Sequence, residues 1–122
     1  MKNDSLAWDD AIDAGLAVNV SGLAEQWDFV MPVAISKNLF YKYIKSDSQR
    51  AEDNCIVALL ITLKEHIKWV MKNEPEAAKE DFMVLKDWTY GDTKVDCHAI
   101  ISDRKPTRMG RAITIYLPEE TT

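Results

Sequence analysis

The sequence has few cysteines and no long apolar run. Its two cysteines, Cys55 and Cys97, are too few for a disulfide framework, so a reducing compartment is expected. The longest apolar stretch, residues 55–63, is followed directly by charged residues and is too short to span a bilayer. Residues 1–5 turn acidic at once and lack the apolar segment of a secretion signal. We therefore expect a cytoplasmic protein that makes no membrane contact.

Glycine is also scarce, and positive charge is scarce in residues 1–30. The chain has only four glycines and no Gly-rich motif that could cradle a phosphate. Its formal net charge is −5, and residues 1–30, with one lysine against six acidic residues, account for all of it. A negative long-range field opposes general attraction to nucleic acids, so any such binding would have to be local.

What the chain does contain suits one domain, residues 1–122. Hydrophobic residues make up 47% of it and include four tryptophans, which is enough for a single core. The clearest predicted element is a helix over residues 50–73, which ends before Pro75 and has an apolar stripe at helical spacing. Two short amphipathic helices near the N-terminus are predicted to flank a short strand at residues 16–20.

Period-two patterns predict strands at residues 82–88, 95–101 and 111–117. Residues 29–35 are also strand-like. Pro32 has no backbone N–H to donate to a neighbouring strand, so an edge or irregular strand is favoured here. The predicted fold is α+β: a three- to four-stranded, largely antiparallel sheet packed on one long central helix, with short N-terminal helices. The strand 111–117 is a candidate edge that could pair with a second copy, which leaves a homodimer open.

The two ends of the chain carry the most specific patterns. Residues 13–21 and 29–36 give a Gly-Leu-Ala-Val-Asn-Val strand and a Met-Pro-Val-Ala-Ile-Ser segment, and residues 110–120 close the chain with Ala-Ile-Thr-Ile-Tyr-Leu-Pro-Glu-Glu. Together they resemble an uncharacterised bacterial family of short proteins carried by plasmids, phages and other mobile elements. The resemblance covers roughly residues 7–44 and 95–120. It implies a mobile-element context and no activity, and the loop 105–111 departs from the family's more glycine-rich, acidic turn.

Groups that could carry catalysis are poorly arranged. Cys97 and His98 are neighbours on a predicted strand, so their side chains point to opposite faces and cannot readily act together as nucleophile and base. No pair drawn from Cys55, His66, Cys97 and His98 has the spacing of a structural zinc site. We therefore predict no enzymatic activity, no catalytic residue, no metal and no cofactor. A small-molecule or hydrolytic enzyme based on Cys97 or His98 is the weakest of three hypotheses.

One loop concentrates positive charge. Arg104, Lys105, Arg108 and Arg111 place four cations within eight residues. Arginine binds phosphate or carboxylate through paired hydrogen bonds, so this loop could grip a nucleic-acid backbone or an acidic protein surface. The alternative is a solubilising hairpin loop without a ligand.

Acidic and aromatic residues provide two other candidate surfaces. Asp4, Asp9, Asp10 and Asp13 could meet the basic loop within the molecule or face a basic partner. Three tryptophans, Trp8, Trp27 and Trp88, fall on apolar stripes and are predicted in the core. Trp69 stands apart from the main stripe and is the aromatic residue we expect at an interface.

These observations favour a protein that works by binding. The leading hypothesis is a non-enzymatic, protein-binding accessory or regulatory factor of a mobile element or its bacterial host, acting on a host defence or replication component. The alternative is a nucleic-acid-binding protein that uses the basic loop 104–111.

Overall fold

The computed structural model describes residues 8–74, 76, 84–90, 95–103 and 110–120. The elements follow in chain order: α1 (Trp8–Asp13), β1 (Ala17–Asn19), α2 (Ser21–Gln26), β2 (Val33–Ser36), α3 (Lys37–Leu39), a π-helical turn (Phe40–Ile44), α4 (Gln49–Asn73), β3 (Val84–Tyr90), β4 (Val95–Asp103), β5 (Arg111–Tyr116) and a 3₁₀ turn (Pro118–Glu120). The strand order of the sheet is β1-β2-β5-β4-β3. Strands β2 and β5 are parallel, and the other three neighbouring pairs are antiparallel. The α+β class and the largely antiparallel sheet are confirmed.

The sheet has five strands, one more than the predicted upper number. Both short N-terminal strands join it: Ala17 of β1 pairs with Ser36 of β2, and Val33 of β2 pairs with Ile113 of β5. These pairings link segments that are distant in sequence. The local alternation pattern alone therefore underestimated the sheet.

Two strands that the sequence placed at an edge are interior. Strand β2 begins directly after Pro32, so the proline removes no donor from the strand, and its carbonyl accepts a hydrogen bond from the Ile113 amide at 2.9 Å. Strand β5 lies between β2 and β4. The predicted edge position of residues 111–117 is wrong, and a second copy cannot add to the paired backbone of β5. The edge strands of the described sheet are β1 and β3.

Helix α4 covers one face of the sheet. It begins after Ser48, whose side chain accepts a hydrogen bond from the Ala51 amide, and it ends at Asn73 close to the predicted boundary. Its buried stripe packs against β2, β4 and β5, and the stripe comprises Ile56, Leu59, Leu60, Leu63 and Val70. Burying each such aliphatic side chain contributes about 1.5–3 kcal/mol. Within the described residues, no helix is both long and apolar enough to cross a membrane.

Helix α1 lies on the opposite face of the sheet. The predicted fold had one helical layer and therefore no helix on this face. Trp8 packs there with Ala34 and Ala112, which alternate along their strands with the residues that face α4. The small alanine side chains leave room for the indole, and its Nε1 donates a hydrogen bond to the Ile113 carbonyl at 3.0 Å. The predicted core position of Trp8 is confirmed by its 4% exposure.

Trp27 is not in the core. Helix α2 ends at Gln26, so Trp27 falls just beyond the packed turn of the helix and is 42% exposed. The predicted burial of Trp27 is therefore wrong. The side chain of Trp88 lies outside the described part of the structure, although its backbone belongs to β3.

Candidate functional site

The basic loop is described only at its end. Arg104, Lys105 and Arg108 lie outside the described residues. Arg111 is half-buried, begins β5 and is in register with Asp103 of β4. A cluster of the four cations therefore stays a prediction.

Three of the four acidic candidates lie on α1. Asp4 is outside the described residues, Asp9 and Asp10 are in the first turn of α1, and Asp13 is its last residue. Helix α1 contacts β1 and β5 on the face of the sheet opposite α4. The sheet thus separates Asp9, Asp10 and Asp13 from Trp69, so these three carboxylates and Trp69 do not form one surface.

Trp69 forms an exposed aromatic surface on the outer side of α4. Trp69 is 52% exposed, although it belongs to the longest described helix. The rings of His66 and Trp69 are stacked, with centroids 6.0 Å apart and an angle of 14° between their planes. His66 and Trp69 are three residues apart in α4, so their rings lie on the same side of the helix on neighbouring turns. We call this pair, with its flanking residues Glu65, Lys68 and Asn73, the Trp69 surface.

The flanks of the Trp69 surface are polar. Lys68 Nζ is 3.7 Å from Glu65 Oε1, and both side chains are well exposed. The Asn73 side-chain amide donates a hydrogen bond to the Trp69 carbonyl at 2.9 Å. An apolar ring surrounded by solvated polar groups is the common organisation of a protein-binding site.

The cysteines and histidines lie on two elements, α4 and β4. Cys97 and His98 are consecutive residues of β4, as predicted, while Cys55 is half-buried on α4 against the core. In the described ranges, no group of three or more His, Cys, Asp or Glu side chains is arranged to hold a metal ion.

The structure also contains a cleft that the sequence did not reveal. It has a volume of about 390 Å³ and lies between β1, α2, the π-helical turn and the first turns of α4. Its apolar walls are Val18, Val20, Leu23, Phe40 and Ile56. Its polar residues are Asn19, Gln49, Glu52 and Asp53. We call it the Glu52 cleft. Its residues come from four separate elements, so no local sequence motif predicts it.

The carboxylates of the Glu52 cleft are each partly occupied. The side chain of Glu52 is 8% exposed, and its Oε2 lies 3.5 Å from Lys45 Nζ and accepts a hydrogen bond from the Ser46 amide at 3.1 Å. Asp53 Oδ1 accepts a hydrogen bond from Gln49 Nε2 at 2.8 Å. Within the described chain, Glu52 Oε1 and Asp53 Oδ2 accept no hydrogen bond. Each of the two carboxylates therefore has one oxygen that accepts no hydrogen bond from the described residues.

Comparison with known proteins adds no family to this description. No protein-family model matches the chain. No significantly similar curated protein and no similar solved structure was found.

Glu120 has a structural role that the sequence did not indicate. Its Oε2 accepts hydrogen bonds from Ser36 Oγ at 2.7 Å and from the Leu117 amide at 2.8 Å. Its Oε1 accepts a third from Asn38 Nδ2 at 3.1 Å. A glutamate near the end of the sequence is usually solvated, and only the fold brings it beside Ser36.

Proposed function

We propose that this protein is a non-enzymatic, protein-binding factor and that the Trp69 surface is where its partner docks. The observation that carries the proposal is the exposed Trp69 ring stacked on His66. Tryptophan is among the residues most often found at the energetic centre of protein interfaces. Trp69 does not belong to the core formed by the described residues, so its exposed ring is available to a partner.

The stacked arrangement favours binding in a second way. A side chain that loses rotamer freedom on association costs about 0.5–1.5 kcal/mol. We propose that stacking on His66 restricts the Trp69 ring before a partner arrives, which would lower this cost.

The biological setting is also part of the proposal. The end segments resemble proteins of mobile elements, so we propose an accessory or regulatory factor of such an element or its bacterial host. A host defence or replication component is the proposed target. The nucleic-acid alternative depends on the basic loop 104–111, of which the structure describes Gly110 and Arg111.

The test is affinity capture with a matched pair of aromatic variants. Tagged wild type, Trp69→Ala and Tyr41→Ala are used to capture proteins from the host lysate, with and without nuclease. Tyr41 is 60% exposed on the π-helical turn, so its variant removes an exposed aromatic ring at another place. The expected result is a protein captured by wild type and Tyr41→Ala, retained after nuclease treatment, and lost with Trp69→Ala.

The captured protein is then purified and its affinity measured by calorimetry. Loss of a tryptophan at the centre of an interface costs about 2 kcal/mol or more, which is roughly a thirtyfold weaker Kd. Equal affinity of Trp69→Ala and wild type would contradict the proposed surface. Capture that disappears with nuclease and weakens steeply with salt would instead support the basic-loop alternative.

A further inference from the structure

We infer that the Glu52 cleft binds a primary ammonium group carried on a short aliphatic stem. This site is separate from the Trp69 surface. Asp53 and Trp69 belong to the same helix but lie about 24 Å apart along its axis, at a rise of 1.5 Å per residue. The inference therefore does not depend on the proposed function.

The charge of the cleft selects a cation. Two carboxylates, Glu52 and Asp53, line it, and the ammonium group of Lys45 offsets one of them. Lys45 is 54% exposed, so most of its charge is solvated. Glu52 is more than nine-tenths buried, and a buried carboxylate gains more from an added positive charge than an exposed one.

The free oxygens favour ammonium over guanidinium. A guanidinium group binds best when one carboxylate offers both oxygens to its planar pair of donors. Glu52 Oε2 already faces Lys45 and the Ser46 amide, and Asp53 Oδ1 already accepts from Gln49. Each carboxylate thus offers one oxygen. An ammonium group is compact and has three rotatable donors, so it can use single oxygens of two residues.

The remaining walls suit an aliphatic stem. Val20, Leu23 and Phe40 contribute apolar surface beside the carboxylates, and long cationic side chains commonly lay their methylene groups on such surface. Phe40 is also the first residue of the π-helical turn, and π-helical turns are frequent at functional sites. An alkylammonium ion satisfies both parts of the cleft, the acidic and the apolar.

The experiment titrates the full chain with small probe molecules and monitors binding through the chemical shifts of its backbone amides in NMR spectra. The probes are n-butylammonium, its neutral counterpart n-butanol, n-butylguanidinium, and lysine blocked at both main-chain ends. We expect saturable, millimolar binding of the ammonium probes, with shifts at residues 18–23 and 49–56. The neutral probe should bind about fivefold more weakly, the size of one modest charge interaction. The guanidinium probe keeps its charge and should also bind more weakly than butylammonium, because single carboxylate oxygens do not suit its planar pair of donors.

Variants test whether the carboxylates carry the selectivity. Glu52→Gln and Asp53→Asn should each weaken n-butylammonium binding about fivefold. Asp47→Asn is the matched control, because Asp47 is an exposed neighbouring carboxylate that does not line the cleft. Asp53→Asn leaves the Glu52 contact to the Ser46 amide intact, so it reports on the cleft even if Glu52→Gln disturbs the loop. Trp69→Ala should bind the probes as wild type does.

Three outcomes would overturn the inference: no saturable shifts at these residues, butanol binding as tightly as butylammonium, or both cleft variants binding like wild type. Tighter binding of the blocked lysine than of butylammonium would support the site and assign its natural ligand to a lysine side chain of a protein. The reverse order would support the site and assign it to a free aliphatic amine.

Discussion

The hydroxyl of Ser36 joins two parts of the chain that are far apart in sequence. It accepts a hydrogen bond from the Leu39 amide at 3.2 Å, which caps α3, and donates one to Glu120 Oε2 at 2.7 Å. Ser36 is 1% exposed, so in the folded protein its hydroxyl is satisfied by these two protein partners and not by bulk water. Losing a cap or orphaning a buried polar group costs about 1–3 kcal/mol.

We expect Ser36→Ala and Glu120→Ala to be coupled in a double-mutant cycle. Each change removes the same hydrogen bond, so the double variant should lose less stability than the two single variants together. The expected coupling is about 0.5–3 kcal/mol, measured by denaturant unfolding.

The control cycle pairs Glu120→Ala with Ser48→Ala. Ser48 caps α4 through the Ala51 amide and shares no described partner with Glu120. These two losses should add within about 0.5 kcal/mol. Coupling as large as that of the Ser36 pair would contradict a direct Ser36–Glu120 link.

At the scale of elements, two glycines differ in backbone conformation, one just after α1 and one inside α2. Gly15 follows α1 with φ +75°, a left-handed conformation that stops the helix and lets the chain enter β1. Gly22 lies inside α2 without a positive φ. An added Cβ meets no atom within 4 Å at either position, so backbone conformation alone separates them.

Alanine at the two glycines should therefore change stability in opposite directions. Gly15→Ala should destabilise the protein by about 1–2 kcal/mol, the penalty for an L-residue in the left-handed region. Gly22→Ala should stabilise it by about 0.5 kcal/mol, because glycine in a helix costs conformational entropy. Thermal and denaturant unfolding of both variants would measure this, and a shared sign would contradict the difference in backbone conformation.

Elements that are determined by neighbouring residues could be predicted from the sequence. Elements that depend on pairing between distant segments could not. Helix α4 has a repeating apolar stripe and a following proline, and Gly15 marks the end of α1, so these features were recognisable in the sequence. The interior position of β5 depends on its parallel pairing with β2, which no local pattern encodes. Trp27 was assigned to the core because its spacing from Leu23 is helical, but α2 ends one residue earlier.

The candidate sites divide in the same way. The exposure of Trp69 was predictable because it stands off the apolar stripe of α4, and its role at an interface stays a prediction. The Glu52 cleft could not be predicted, since residues 18–23, Phe40 and residues 49–56 meet only in the folded chain. Glu120 is a similar case, as its importance comes entirely from its position beside Ser36.

At the scale of the whole molecule, β2 and β5 form the centre of the sheet. Both strands are buried, with α4 over one face and α1 packed against the other, and both have a partner strand on each side. Strand β1 has one neighbour and three residues. Opening β1 breaks a single short ladder, whereas opening β5 disrupts the core.

Native-state hydrogen exchange should show this difference. The Ile113 amide, which bonds to the Pro32 carbonyl, should exchange only through global unfolding and report the full free energy of unfolding. The Val20 amide, which bonds to the Val33 carbonyl beside the edge strand, should exchange faster through local opening. Equal protection of these two amides would contradict a β1 edge that opens independently.

The parallel pairing of β2 with β5 has a consequence for how the chain is made. During synthesis β2 emerges from the ribosome early, but α4, β3 and β4 must all follow before β5 can occupy the place beside it. Until then the nascent chain holds an apolar strand, Val33-Ala-Ile, with an unpaired side. Unpaired apolar strand edges of this kind are prone to aggregation, and the protein completes its described sheet only after nearly all of the described chain has been translated.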